Sequence, residues 1–419
     1  MKKTLILFIL IFIFSGSLHI AAARSPRLAD SVENSPRNVR VLLDKNVSSK
    51  NIFIYGRVKI LSEFININIS QGSIRFTMID EKNAEIAAHG RSAQLALPCT
   101  LTFSSIANVF SYDDKEYRGN IIFIGSKSGA SIINLIDVED YLRGVVPMEI
   151  GVRSEVDFEA LKAQAIAART YALSKVLRNT DKEFDLLPTV SDQVYGGVNC
   201  EYTISDSAIK DTRGIILLKN DGALLETFYH STCAGRTASV DEVWNSAPDR
   251  SLVSRKDLRP NGAAFCGNSN AYTWREVWSI NQFSQILRKY SVQHNETPFN
   301  GTVRAISVTS RTQSGRVNNL AVVSEGGVFN YGKDRVRFVL RRPTKDESIL
   351  KSANFEIKIE GDNVIATGFG FGHGIGMCQT GALGRARAGQ SYSDILKSYY
   401  SNFRFSTWDD VIFKSTFSF

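Results

Sequence analysis

The sequence has few of the residues and patterns that mark specialised protein classes. Its 419 residues include only five cysteines, without a CxxC spacing, so they do not form a disulfide scaffold. No internal repeat and no heptad run is present, and neither an HExxH helix nor a P-loop occurs. A Lys/Arg run is also missing, so we predict no nucleic-acid partner despite a net charge of +8.

The amino terminus lacks an apolar run long enough for a membrane span, which needs about 20 residues. It does have the organisation of an export signal, because Lys2 and Lys3 precede an apolar run over residues 4–14 and alanines occupy positions 21–23. We therefore expect residues 1–23 to be a signal peptide and the mature chain to have no membrane span. The protein is then exported, and periplasmic or associated with the cell envelope. An uncleaved N-terminal anchor is the alternative.

The basic charge balance favours an anionic partner. Loss of the signal peptide lowers the net charge only from +8 to +6, because Lys2 and Lys3 are its charged residues, and the pI is about 9.1. For an exported protein, this charge suits the cell wall or a membrane surface.

The rest of the chain is predicted to be β-rich, with one long helix. Residues 24–37 are polar and are expected to form a flexible leader, whereas short β-branched and aromatic runs predict a β-rich N-terminal region over residues 38–111. Apolar residues at steps of three and four predict an Ala-rich helix over residues 157–178, with one apolar stripe that packs beside the loop carrying Glu149. A helix is also expected over residues 274–290, and shorter helices in the C-terminal half. The expected fold class is α+β.

A single carboxylate among apolar neighbours is the first candidate for chemistry. Glu149 follows Val145, Val146 and Met148 and precedes Ile150, directly ahead of the predicted long helix. Burial beside these residues would disfavour the ionised form and raise its pKa, so that Glu149 could donate a proton near neutral pH. The alternative is a solvated glutamate that complements backbone N–H groups at a helix start.

Glycine occupies every second position of residues 368–376, which read GFGFGHGIG. In an extended chain one face would then carry no side chains, and the other would carry Phe369, Phe371, His373 and Ile375. A bare backbone beside aromatic rings and an imidazole predicts a sugar-binding edge. A tight strand crossing in the core explains the pattern equally well.

His230, Cys233 and Cys266 form the one candidate metal set. His230 and Cys233 are three residues apart at the end of a predicted strand, and Cys266 follows in a loop. One His and two Cys could hold zinc with an open fourth position. We favour a Cys233–Cys266 disulfide, which is ordinary in an oxidising compartment, over zinc and free thiols. A nucleophilic Cys233 activated by His230 or His373 is a further alternative.

Five segments together resemble the SpoIID/LytB family of peptidoglycan-acting proteins, named for stage II sporulation protein D. They occur in the family's order, and the resemblance implies a catalytic domain over residues 112–403, followed by a C-terminal tail over residues 404–419. The segments are residues 139–149 (EDYLRGVVPME), 160–171 (ALKAQAIAARTY), 191–197 (SDQVYGG), 230–237 (HSTCAGRT) and 372–379 (GHGIGMCQ). The position of Cys378 is a Ser in many relatives, which argues against a required thiol there.

The resemblance implies a lytic transglycosylase that cleaves peptidoglycan glycan strands, preferably strands free of peptides, and its catalytic glutamate falls on Glu149. Most glycosidases need two carboxylates. A lytic transglycosylase can use one, because the C6 hydroxyl of N-acetylmuramic acid attacks C1 and leaves a 1,6-anhydro end. No metal or organic cofactor is required, although a structural zinc is compatible. The candidate groove residues are Arg143, Tyr171, Gln193, Tyr195, His373 and Gln379.

Two other classes of function stay open. Within the same family, a non-catalytic protein could bind glycan strands and enhance a cell-wall amidase, which would then be its partner. A zinc hydrolase built on His230, Cys233 and Cys266 is the third class, although no acidic residue is placed by spacing as its base.

Overall fold

The computed structural model describes residues 37–61, 66–103 and 109–409. The predicted signal peptide (1–23) and nearly all of the predicted leader (24–37) lie outside these residues. The described chain contains 22 strands and eight α-helices, which confirms the β-rich α+β class. None of the described helices is long and apolar enough to span a membrane.

The helices lie in the central and C-terminal parts of the described chain. They are α1 (Val138–Ile150), α2 (Phe158–Arg178), α3 (Thr203–Asp211), α4 (Val240–Val243), α5 (Ile280–Gln293), α6 (Arg335–Val339), α7 (Gln379–Ala386) and α8 (Tyr392–Tyr399). The strands are β1 (Asn38–Val47), β2 (Ser49–Ile54), β3 (Val58–Leu61), β4 (Asn66–Ile69), β5 (Gly72–Met78), β6 (Asn83–Ala88), β7 (Arg91–Ala96), β8 (Cys99–Phe103), β9 (Val109–Tyr112), β10 (Lys115–Arg118), β11 (Asn120–Ser126), β12 (Gly129–Asp137), β13 (Ile215–Lys219), β14 (Tyr229–His230), β15 (Thr273–Ser279), β16 (Val303–Arg311), β17 (Val317–Ser324), β18 (Gly327–Gly332), β19 (Phe355–Glu360), β20 (Asn363–Phe369), β21 (Met377–Cys378) and β22 (Phe403–Thr407).

The first twelve strands form two six-stranded sheets that share one hydrophobic core. Their orders are β1-β12-β11-β8-β3-β4 and β10-β9-β2-β5-β6-β7. Phe76 of one sheet stacks on Phe123 of the other, with ring centroids 4.3 Å apart. The predicted boundary between residues 111 and 112 falls inside β9, and strands from both sides of it join the same sheets, so no break between sheets marks it.

Helix α2 confirms the predicted Ala-rich helix, but it is buried on nearly every side rather than along one stripe. It contacts α1, α3, α7, α8 and β13, because its alanines allow neighbours to approach closely all round. A buried ion pair joins it to α1: the Arg169 guanidinium donates to both carboxylate oxygens of Glu139 at 2.9 and 2.7 Å. Such a bidentate pair fixes the relative position of the two helices.

Residues 273–369 form a unit with its own core, inserted between α4 and β21. Two three-stranded sheets, β15-β20-β19 and β16-β17-β18, pack with α5 and α6 around buried apolar residues that include Trp278 and Phe355. The predicted helix over 274–290 is wrong at its start. Residues Thr273–Ser279 are a strand with alternating burial, and the helix begins only at Ile280, capped by the Ser279 hydroxyl.

The glycine-rich segment crosses residues 228–232 at close range, as the crossing alternative predicted. Gly370, Gly372, Gly374 and Gly376 have φ angles from 68° to 105°, so this part of the chain is not a regular extended strand. The crossing continues into the parallel pairing of β14 with β21. The crossing places His373 and Gln379 next to residues 228–232.

The predicted C-terminal tail begins as part of the fold. Strand β22 pairs antiparallel with β13 through five residue pairs, so residues 404–407 are ordered in a sheet. Residues 410–419 lie outside the described residues.

Replacement of Gly376 by Ala should destabilise the fold strongly. Its Cβ would lie 2.0 Å from the Phe228 carbonyl oxygen, in addition to the cost of about 1–2 kcal/mol for a left-handed L-residue. We expect Gly376→Ala to lower the free energy of unfolding in urea by more than about 2 kcal/mol. Gly389→Ala is the control, since Gly389 has φ +80° but open space around its Cβ. Equal losses for both variants would contradict the close crossing.

Candidate functional site

Glu149 lies in the last turn of helix α1, not in a loop ahead of the long helix as predicted. Pro147 is inside this helix, and Gly151 ends it with φ 83°. Val145, Val146 and Pro147 are buried in the core and hold the turn in place, whereas Met148 is 44% exposed and does not bury the carboxylate. The half-buried state of Glu149 therefore arises from other parts of the chain.

The carboxyl group of Glu149 is enclosed by three neutral donors. The Val194 backbone N–H donates to Oε1 at 2.7 Å, and the Gln379 side-chain amide lies 3.5 Å from Oε2. Burial raises the pKa of Glu149, and the Val194 amide, Gln379 and the Tyr229 hydroxyl oppose that rise by hydrogen bonding to the ionised form. A raised pKa with a held orientation is what a general acid requires.

Gln193 and Tyr195, predicted for the groove, are buried behind Glu149. Gln193 is fully buried, accepts from the Tyr141 hydroxyl at 3.2 Å and donates to the Tyr229 hydroxyl at 2.9 Å. The Tyr195 hydroxyl donates to Asn134 at 3.0 Å. These bonds fix the irregular segment whose Val194 N–H meets Glu149, so both side chains position the site from inside. Their predicted contact with substrate stays a prediction.

Tyr171 and Arg143 each have protein partners. The Tyr171 hydroxyl donates to Asp192 at 2.9 Å. The Arg143 guanidinium pairs with Glu201 at 2.5 Å and with Asp206 at 3.0 Å. The structure thus places Arg143 in an ion-pair cluster, and its predicted role in binding glycan stays untested.

His373 belongs to a partly exposed aromatic wall. Its Nε2 lies 3.0 Å from the Tyr229 carbonyl, and its Nδ1 accepts the Ile375 N–H at 3.0 Å, so the proton is assigned to Nε2. Burial and Arg337 lower the pKa of His373 to about 3, so the ring is neutral at physiological pH. The rings of Trp244 and Phe228 lie 5.3 and 6.3 Å from it.

Sequence reasoning missed Tyr229, Trp244 and Gln164. Tyr229 connects the aromatic wall to the carboxyl group of Glu149. Its carbonyl accepts a hydrogen bond from His373, whereas its hydroxyl accepts from the Gln193 amide and donates to Glu149. Gln164 is fully buried in α2, with its Oε1 3.5 Å from the Gln379 amide. Two signals could have found the aromatic residues. Tyr229 directly precedes the motif at residues 230–237, and tryptophan is scarce, with four in the whole sequence.

The predicted metal set is not brought together. Cys233 and Cys266 are adjacent but both are free thiols, so the favoured disulfide is not present. His230 is buried, and its Nδ1 donates instead to the Ile375 carbonyl at 3.1 Å. The groups near Cys233 and Cys266 are Asp257 and Cys378.

Comparisons with known proteins point to one family. The family model described as stage II sporulation protein (SpoIID) matches residues 126–218, and that of a domain of unknown function (DUF8618) matches residues 238–376. The chain is similar to an uncharacterised protein of Brachyspira hyodysenteriae, with 32% identity over 70% of this chain and 73% of the relative. It is also similar to stage II sporulation protein D of Bacillus amyloliquefaciens, with 30% identity over 67% of this chain and 77% of the relative. The amidase enhancer of Bacillus subtilis shows 29% identity over 71% of this chain, which spans only 45% of that relative.

Replacement of Glu149 by Gln should stabilise the fold at neutral pH. A carboxyl group whose pKa is raised by folding binds its proton more tightly in the folded state, so it lowers stability as pH rises above its ordinary pKa of 4.5. We expect Glu149→Gln to raise the free energy of unfolding at neutral pH by about 0.5–2 kcal/mol, the range that single stabilising substitutions commonly give. The difference should shrink below pH 4.5.

The control for this measurement is Glu155→Gln, because Glu155 is exposed. It should change stability by less than about 0.5 kcal/mol at either pH. An equal effect of both variants at neutral pH would contradict a desolvated Glu149.

Proposed function

This chain belongs to the stage II sporulation protein D family, and from that premise we propose that it is a peptidoglycan lytic transglycosylase. The family relation supports a role connected with the cell wall. The observation that carries the finer proposal is Glu149, a half-buried carboxyl group with a raised pKa that is held by the Val194 N–H. The proposed substrate is the glycan strand, most readily one without peptides, as the family resemblance implies.

One carboxyl group is sufficient for this reaction. Protonated Glu149 donates its proton to the glycosidic oxygen as the bond from C1 to that oxygen breaks. The resulting carboxylate then accepts the proton of the C6 hydroxyl of N-acetylmuramic acid as O6 bonds to C1. The products are a free N-acetylglucosamine hydroxyl and a 1,6-anhydromuramic end, and Glu149 returns to its protonated state.

The surroundings of Glu149 favour this mechanism over a two-carboxylate one. Its carboxyl contacts are Val194, Gln379 and Tyr229, all neutral donors. Asp192 lies in the neighbouring segment, but its carboxylate already accepts from the Tyr171 hydroxyl and pairs with Lys175 at 2.6 Å. It is therefore not poised as the base or nucleophile that an ordinary glycosidase requires.

The aromatic wall formed by Phe228, Trp244 and His373 suits sugar rings. Aromatic faces pack against sugar C–H groups, and such apolar walls with a few fixed polar groups are typical of ligand sites. Gln379 adds an amide next to the carboxyl group of Glu149. The net charge of +6 expected for the mature chain favours association with an anionic wall, and we place the mature protein outside the cytoplasm, in the periplasm or cell envelope.

A non-catalytic enhancer of a cell-wall amidase is the second candidate. The similarity to the amidase enhancer of Bacillus subtilis favours it. Glu149 would then have no chemical role, and the unfavourable burial of its carboxyl group would serve no reaction.

Cleavage of peptide-free glycan strands tests the proposal directly. Wild-type protein should release products with 1,6-anhydromuramic ends, identified by mass spectrometry. Glu149→Gln should lower the rate by about 10²–10⁴, the usual contribution of a general acid–base group. Glu155→Gln is the matched control and should keep the wild-type rate.

Each other outcome points elsewhere. Hydrated reducing ends would identify a hydrolase instead. Strands bound but left intact by folded wild-type protein would favour the enhancer, and purified amidase should then be stimulated equally by wild type and Glu149→Gln.

The pH dependence of cleavage should respond to Tyr229. Its hydroxyl lowers the pKa of Glu149, so Tyr229→Phe should raise that pKa further. Because the acid must be protonated, the falling limb of log kcat/KM at high pH should move to higher pH in this variant. Tyr202→Phe, at a 45% exposed position, should leave the profile unchanged. An unmoved limb in Tyr229→Phe would contradict the assignment of that limb to Glu149.

A further inference from the structure

Four buried side chains from three separate parts of the chain converge beside the glycine-rich crossing. Cys233 follows β14, Asp257 and Cys266 lie in the loop before β15, and Cys378 ends β21. Their ligand atoms all lie within 4.8 Å of one another, and every one of these residues is buried. Buried thiols and carboxylates are gathered in this way where they share a cation.

The spacing of the sulfur atoms suits a shared metal ion. Two thiolates bound to zinc at about 2.3 Å with tetrahedral angles lie about 3.8 Å apart. The Sγ atoms of Cys233 and Cys266 are 3.7 Å apart. A disulfide needs about 2.0 Å, so this pair is placed for a common ligand rather than for a covalent bond.

Backbone N–H groups point at the sulfurs, as they do at metal-bound thiolates. The Cys378 sulfur accepts from the N–H groups of Cys233 and Gly381, both at 3.2 Å. Ala234 and Gly235 have left-handed φ angles of 56° and 92°, and this turn directs their N–H groups at Cys266. Hydrogen bonds to the charged form of a ligand stabilise that form.

Asp257 is oriented by two partners on the side away from the thiols. Its Oδ1 accepts from the Arg385 guanidinium at 2.9 Å and from the Tyr399 hydroxyl at 3.0 Å. Its Oδ2 faces the Cys233 sulfur at 3.3 Å and is the oxygen available to a cation. Such outer hydrogen bonds fix metal-ligating carboxylates, and Arg385 offsets part of the negative charge of three thiolates and a carboxylate.

We propose that Cys233, Cys266, Cys378 and Asp257 bind one structural Zn²⁺ ion. Three sulfurs and one oxygen are a ligand set that suits this borderline-soft cation, and four protein ligands leave no open position for a substrate. His230, predicted as a ligand, takes no part. Cys378, which the resemblance suggested was dispensable, is a ligand of this site.

The zinc site joins the inserted unit to the rest of the fold. The chain leaves for that unit just after Cys266 and returns just before Cys378, and the Gly370 N–H donates to the Tyr272 carbonyl at 3.0 Å across the neck. Cys378 also immediately precedes Gln379, whose amide meets Glu149. Binding of zinc therefore holds both the neck and one wall of the site, independently of whether the site cleaves glycan.

Metal analysis of the full-length protein tests the proposal. Protein produced with zinc in the medium and kept reduced should contain one zinc ion per chain by elemental mass spectrometry. Replacement by Co²⁺ should give the sulfur-to-cobalt charge-transfer bands and intense visible absorption of a tetrahedral thiolate site. Cys233→Ser, Cys266→Ser and Cys378→Ser should each lose the bound metal, whereas Cys200→Ser should retain it.

A measurement on the wild type alone decides the matter if the cysteine variants do not fold. Folded wild-type protein that binds neither zinc nor cobalt, that carries iron instead, or that contains a Cys233–Cys266 disulfide by peptide mapping would overturn the proposal. Asp257→Asn keeps all three thiols, and it should change the cobalt spectrum and weaken zinc binding at least about tenfold. An unchanged spectrum in this variant would remove Asp257 from the ligand set.

Discussion

The candidate site depends on one close crossing of two backbones, residues 370–376 over residues 228–232. Thr232 and Phe371 exchange backbone hydrogen bonds of 3.0 and 2.9 Å, and the Met377 N–H donates to the Phe228 carbonyl at 3.1 Å. Only glycine allows the chains to approach this closely, since a Cβ at position 376 would lie 2.0 Å from a carbonyl oxygen. The crossing therefore brings Gln379 to Glu149, 230 residues away in sequence.

The pocket formed there favours neutral side chains. Burial raises the pKa of Glu149 and of Tyr229 and lowers that of His373. All three shifts have the same main cause, burial, which disfavours the charged form of each group. Tyr229 keeps its proton, because its pKa is raised well above 10.0, and His373 is neutral, so Glu149 is the group of the three that we propose as the proton donor. The surrounding amides orient the carboxyl group without supplying a charge of their own.

Local patterns predicted the fold well where one periodicity dominated. The Ala-rich helix was confirmed because its apolar spacing continues through most of the 21 residues of α2. Residues 274–290 misled the prediction, because a strand with alternating tryptophans runs directly into a helix and the two periods overlap. The predicted loop around Glu149 is the last turn of a helix. Gly144 and Pro147 usually weaken helices, but burial of Val145 and Val146 against the core outweighs that preference here.

The sequence by itself determined the identity of the acid candidate, the family motifs and the β-rich class, because these follow from residue types and short-range spacing. Only the tertiary structure decided which buried polar groups meet. It turned Gln193 and Tyr195 inward, placed Tyr229 between Glu149 and His373, and joined Cys233 and Cys266 to Cys378 and Asp257 rather than to His230. The physical reason is that spacing reports which residues are buried, whereas their partners depend on where distant segments cross.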